Sequence, residues 1–255
     1  MRIKLINPNT TSSMTELIGA AARAVAAERT EIIAATSRSG PASIESHFDE
    51  AMSIIGLIDE ILDCPPADAY VIACFGDPGL LAAREITDAP VLGIAEAAMH
   101  AATFVSTGFS VVTTLERIRI ITEHLVRNYG MDLHCRSVRA TDVPVLELEN
   151  PKSNARATIL AECERALLED RSSAIVLGCA GMADLATYLE DRLQVPVIDG
   201  VAAAVKFAEA IVGMGLKTSK RGDLAAPLPK AFRGKLSSYG PGVGMAAPTT
   251  VLRAS

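Results

Sequence analysis

The chain of 255 residues has no tryptophan, and its aromatic residues amount to only 4%. No aromatic platform is therefore available on which single-stranded nucleic acid could stack. The formal net charge of −6 argues in the same direction, against a binder of the phosphate backbone. No run reaches the roughly 18 apolar residues of a membrane helix. The amino terminus, MRIKLINPN, turns polar after six residues, too short for the apolar core of a secretory signal. The five cysteines are an odd number without a C-x-x-C pair, so no disulfide framework is expected and the thiols are read as free, in a cytoplasmic protein. No G-x-G-x-x-G follows a strand pattern and no Walker A sequence occurs, so nothing supports nucleotide binding. A pair of cysteines with no histidine or third cysteine nearby cannot complete a zinc site, and no metal or other cofactor is expected.

What the chain does have is aliphatic residues. Hydrophobic residues make up 49% and charged residues 21%, so a packed core of Ala, Val, Ile and Leu is expected. Short apolar runs alternate with helical patterns: Arg2–Ile6, then a helix over 13–28; Glu31–Thr36, then 44–63; Ala69–Ala73, then 78–86; Pro90–Ile94, then an alanine-rich helix from Ala95. Such alternation predicts an α/β fold with parallel sheets covered on both faces. Charge is uneven. Residues 217–255 carry seven Lys or Arg and one acid, leaving −12 on the rest. This Gly/Pro-rich basic segment shows no apolar period and reads as a loose tail or a surface wrap.

The same plan then recurs: Phe109–Val112, helix 116–129; Cys135–Ala140, helix 153–169; Ala174–Gly178, helix 182–193; Val195–Ile198, helix 200–213. VIACFGDPGLLAARE (71–85) and VLGCAGMADLATYLE (176–190) set Cys74 and Cys179 in the same place, 105 residues apart. Pro90-Val91 follows the first cysteine by 16 residues and Pro196-Val197 follows the second by 17. Two copies of one unit are implied. The expected lobes are residues 1–98 with roughly 205–255, carrying Cys74, and 99–204, carrying Cys179. The last helix of the second copy is expected to cross back onto the first lobe, with the ligand site in the cleft between them.

Ligands of open α/β sheets sit beyond the carboxyl ends of the strands. Four strand ends here carry helix-start signals. Ser13-x-x-Glu16 and Thr113-x-x-Glu116 fit capping boxes, Asp77-Pro78 fits an N-cap followed by proline, and Ala180-Gly181 leaves its backbone unshielded. A thiol aimed at such an end has its thiolate favoured, with a pKa expected below the free value of about 8.5. Cys64, Cys135 and Cys163 sit in a loop, a strand and a helix and read as structural. His47, His100, His124 and His134 fall at no strand end, so a Cys-His nucleophile pair is unsupported. Two thiols on opposite walls of a cleft suit inversion of a stereocentre, one removing a proton while the other returns one, through an enolate-like anion.

INPNTTSSMT (6–15), ACFGDPGL (73–80), FSVVTTLER (109–117), SVRATDVPVLELE (137–149), VLGCAGM (176–182) and PVIDGVAAAV (196–205) resemble the hydantoin racemase branch of the aspartate/glutamate racemase superfamily. The resemblance covers about residues 1–215. It implies cofactor-independent racemisation at C5 of 5-monosubstituted hydantoins, with Cys74 and Cys179 matching the family's two catalytic cysteines. It also implies substrate contacts at Asn9, Thr113, Thr114, Gly178 and Ala180, and at Pro8, Ser43, Gly76 and Gly181, and a homo-oligomer. Allantoin racemases have very similar motifs, so allantoin is an alternative substrate. Phe75-Gly76 and Ala180-Gly181 stand where amino-acid racemases carry groups for a free carboxylate and ammonium, which disfavours aspartate or glutamate. A decarboxylase, a cis–trans isomerase and a dithiol switch remain rival readings.

Overall fold

A computed structural model describes residues 1–63, 65–150 and 152–240. Two parallel four-stranded sheets form. The first has the order β2-β1-β3-β4, with β1 Arg2–Asn7, β2 Glu31–Thr36, β3 Ala69–Ile72 and β4 Val91–Gly93. The second has the order β6-β5-β7-β8, with β5 Phe109–Thr113, β6 Cys135–Ala140, β7 Ala174–Leu177 and β8 Val197–Ile198. The second order is the first shifted by four strands, so the repeat seen in the sequence is also a repeat of hydrogen-bonding topology. The apolar runs AYVI of β3 and AIVL of β7 are buried at every residue, as central parallel strands require.

The helices are α1 Ser12–Val25, α2 His47–Leu62, α3 Leu80–Ile86, α4 Ile94–Val105, α5 Glu116–Asn128, α6 Ala155–Glu169, α7 Ala186–Leu193 and α8 Gly200–Gly213. The alanine-rich helices α4 and α8 pack on each other where the halves meet. A Cβ on Gly200 would stand 2.6 Å from the Ile94 carbonyl oxygen, so only small residues permit this approach. Beyond that contact, α8 packs on α1, β3 and β4, while α4 packs on β7 and β8. The sequence hinted at the first crossing only. The two helices are exchanged between the halves, and one core cluster runs through both sheets.

Four expected helix starts are corrected. α1 begins at Ser12 with Thr11 as its N-cap, and the Thr11 hydroxyl donates to the Ala42 carbonyl at 2.7 Å instead of capping. Thr113 ends β5 and donates to the Gly178 carbonyl at 2.9 Å; it starts no helix. α3 begins after Gly79, in the left-handed region at φ 67, and Asp77 caps a different helix, as described below. The helix expected at 182 starts at Ala186, behind a 3-10 turn over Ala180–Leu185. The basic segment runs across the first half as far as residue 240. Thr218 N–H donates to the Asp88 carbonyl at 2.9 Å, Lys217 Nζ pairs with the Asp88 carboxylate at 3.1 Å, and the Tyr239 hydroxyl donates to Asp59 at 2.5 Å. Cys64 and the end of the tail, 241–255, lie outside the described residues. Among the described residues no helix is long and apolar enough to cross a membrane.

Candidate active site

Cys74 lies two residues past the end of β3 and Cys179 two past the end of β7. Both are free thiols. They share one cleft of about 570 Å³, counting its open mouth. Of the residues singled out in the sequence, Asn9, Cys74, Gly76, Thr114, Gly178, Cys179 and Ala180 line it. Pro8, Ser43, Thr113 and Gly181 do not. Pro8 is buried inside the turn after β1, and Ser43 is half-buried in the loop that leads to Ile44. Thr113 is wholly buried beneath the wall. Gly178 has a packing reason to be glycine, because a Cβ there would come within 2.7 Å of the Thr113 Cβ.

Several wall residues carried no recognisable signal in the sequence. Ser46 is the N-cap of α2 and Glu50 lies in its first turn, Ile118 and Ile121 come from α5, Ile44 from a loop and Val145 from the 3-10 turn Val145–Glu149. A helix shows its apolar period in sequence, but which turn of it meets a distant strand end is a tertiary fact. Phe75 lines the cleft beside Cys74 and was visible only as part of the cysteine motif.

The expected lowering of the thiol pKa values is corrected. Burial dominates and pushes Cys74 up to about 12 and Cys179 up to about 11. The Gly76 N–H at Cys74 and the Gly181 N–H at Cys179 pull the other way but are outweighed. At Cys74 the neighbouring Cys179, Asp77 and Glu50 add to the rise; at Cys179, Glu45 does. Burial thus favours the neutral thiol at both positions, each with a backbone N–H aimed at its sulfur.

The polar atoms of the wall have unequal commitments. The Asn9 Oδ1 accepts from Asn7 Nδ2 and from the Thr11 N–H, both at 2.9 Å, whereas among the described residues its Nδ2 reaches only the Met14 sulfur, at 3.3 Å. Ser46 Oγ accepts from the Asp49 N–H as the N-cap of α2. Thr114 Oγ1 is buried with no hydrogen-bond partner among the described residues. A buried hydroxyl left unpaired costs about 1–3 kcal/mol, so this one has a hydrogen bond to offer to a group that enters the cleft.

Behind Cys74, the Asp77 carboxylate caps α4. It accepts from the Ala95 N–H at 3.0 Å and the Glu96 N–H at 2.9 Å, and from the Tyr129 hydroxyl, at the end of α5, at 2.7 Å. These bonds tie the turn after Cys74 to both halves, and Asp77 itself has φ 45, a left-handed backbone for a non-glycine residue.

Comparison with known proteins gives consistent results. The sequence profile described as Asp/Glu/Hydantoin racemase matches residues 3–208. A hydantoin racemase of Rhizobium meliloti is 50% identical over 92% of this chain and 98% of its own length. A hydantoin racemase of Pseudomonas sp. (strain NS671) is 49% identical over 94% of this chain and 97% of its own length. The solved structure of an allantoin racemase from Klebsiella pneumoniae superposes with a TM-score of 0.92 and 56% identity, covering 94% of this chain and 99% of that one. Matched over most of its length by this profile and by these relatives, the chain belongs to the Asp/Glu/hydantoin racemase family and is a racemase.

Proposed function

We propose that the protein racemises 5-monosubstituted hydantoins at C5 without a cofactor, using Cys74 and Cys179 as a pair of bases. The supporting observation is the pair itself: two thiols from equivalent points of a duplicated unit, on different sheets, lining one cleft, each facing a backbone N–H. One cysteine acts as thiolate and takes the C5 proton. The electron pair moves onto the adjacent ring carbonyl as an enolate. The other cysteine, as thiol, gives its proton to the opposite face of C5 and becomes the thiolate. Burial holds both thiols neutral, so one of them first releases its proton to solvent through the mouth of the cleft, and the Gly76 or Gly181 N–H stabilises the thiolate that is left.

In this reading Asn9, Thr114, Gly76, Gly178 and Ala180 contact the ring, while Pro8, Ser43, Thr113 and Gly181 hold the contacting residues in place. The protein is read further as a cytoplasmic homo-oligomer acting on a small molecule, with neither nucleic acid nor membrane as partner, and with lobes at 1–98 plus 205–255 and at 99–204. Two observations bear on the 5-substituent. The apolar wall of Met14, Ile44, Phe75, Ile118, Ile121 and Val145 suits a hydrocarbon group. The similarity to the allantoin racemase from Klebsiella pneumoniae favours allantoin as a second reading.

The test follows L- and D-5-benzylhydantoin and (S)-allantoin in deuterated buffer, by optical rotation and by deuterium incorporation at C5. Decay of rotation with deuterium at C5 is expected, and the faster substrate chooses between the two readings. Cys74→Ser and Cys179→Ser should each abolish racemisation while remaining folded, with residual exchange confined to one enantiomer. Near-normal rates in both directions for both single variants would overturn the two-base assignment.

A further inference from the structure

Glu50 lines the cleft together with both cysteines, and sequence motifs gave no reason to expect a carboxylate there. It projects from the first turn of α2, with about a quarter of its side chain exposed. Its Oε2 stands 3.6 Å from His47 Nδ1. Its Oε1 faces the turn after Cys74: a Cβ built on Gly76 would stand 3.7 Å from Glu50 Oε1 and 3.9 Å from Cys74 Sγ. No hydrogen bond reaches Oε1 among the described residues. Burial raises the Glu50 pKa, and the His47 partner opposes the rise.

A carboxylate is a poor neighbour for this chemistry. It disfavours a thiolate at Cys74 and an enolate in the same space. It can be accommodated if it binds a group that the substrate brings. The rest of the polar wall narrows what that group is. Among the described residues Asn9 Nδ2 is held only by a thioether and the Thr114 hydroxyl has no partner, so both can donate to carbonyl oxygens. Glu50 Oε1 is an uncommitted acceptor of high strength. Two donors and one strong acceptor around a pair of thiols complement a ring that presents carbonyl oxygens and an N–H.

We propose that Glu50 is a specificity-determining residue whose carboxylate accepts a hydrogen bond from a ring N–H of the substrate. The class it selects is neutral cyclic imides and ureides bearing a free N–H, and it turns away substrates with a carboxylate at that position. The inference rests on the hydantoin reading above but concerns recognition, so binding can test it apart from turnover. The probe is 5,5-dimethylhydantoin, which has no C5 proton to exchange, beside its N1-methyl and N3-methyl derivatives.

Calorimetric titration of the full chain should show the parent binding and one N-methyl derivative binding roughly 10- to 100-fold more weakly, the effect of losing one hydrogen bond to a charged group. Glu50→Gln should weaken the parent by a similar factor and bring the parent and that derivative close together. Glu50→Ala should do the same, which separates the lost acceptor from any misfit of glutamine. Kinetically, KM for 5-benzylhydantoin should rise in Glu50→Gln more than kcat falls. Binding equally strong in wild type and both Glu50 variants, or insensitive to methylation at either nitrogen, or absent altogether, would overturn the inference. Glu50-dependent binding without racemisation by the wild type would overturn the two-base reading and leave this one standing.

Discussion

Asp77 and Asp199 perform one task by two routes. Asp199 is the N-cap of α8, and its carboxylate accepts from the Val201 N–H at 3.1 Å and the Ala202 N–H at 2.8 Å. The equivalent N-cap of α4 is Gly93, which has no side chain to offer. Asp77, from the turn after Cys74, fills the gap, and the three atoms nearest a Cβ on Gly93 all belong to it, the closest at 2.1 Å. Gly93 is therefore glycine because a carboxylate occupies its side-chain space. Gly93→Asp alone should expel Asp77 and lower stability by about 1–3 kcal/mol, the range of a lost cap and an unpaired buried polar group. Adding Asp77→Gly, which also relieves the positive φ at 77, should recover much of that loss by rebuilding the arrangement of the second copy. Urea unfolding midpoints of the single and double variants decide this. A double variant no better than Gly93→Asp alone would refute the exchange of caps.

Helix α4 and helix α8 fix how the two cysteines are presented, because each packs on the sheet of the other half. Their sequences, EAAMHAA and VAAAVKFAEA, are rich in alanine for this reason. Close approach needs small residues, and at Gly200 even one methyl would meet backbone. Gly200→Ala should cost about 1–3 kcal/mol, since a carbonyl oxygen cannot swing aside as a side chain can. Gly213, at the far end of the same helix, has nothing within 4 Å of its Cβ position. Gly213→Ala should be neutral or stabilising by up to about 1 kcal/mol, through helix propensity alone. Thermal melts of the pair separate packing from propensity on one helix, and equal effects of the two changes would refute the packing argument.

In the molecule as a whole, burial of thiols sets a pH limit. Cys74, Cys135 and Cys163 are pushed up to about 12 and Cys179 up to about 11, each chiefly by desolvation. Unfolded thiols titrate near 9.0. The folded pKa values are the higher ones, so the unfolded chain gives up its protons first. The stabilising contribution of these thiols is fully present below about pH 9 and is lost as pH climbs toward 11–12. Guanidinium midpoints should fall between pH 8.5 and 10.5. Cys163→Ala, which removes one such group outside the cleft, should flatten the fall after allowance for its cavity cost. A midpoint flat across this range would contradict neutral buried thiols.

Local sequence was enough to determine the α/β class, the alternation of elements, the duplication and the two equivalent cysteines at strand ends. Each of these follows from short-range rules: apolar runs of strand length, helical periodicity, and repetition at a fixed spacing. Tertiary structure alone decided that α4 is exchanged onto the second sheet, that Asp77 caps a helix other than the next one, and that Glu50, Ile118 and Ile121 face the cysteines. It also reversed the expected thiol chemistry. A helix start or a turn can be read within a few residues, and it promised lowered pKa values. Desolvation depends on every element that closes around the sulfur, and those elements come from both halves of the chain.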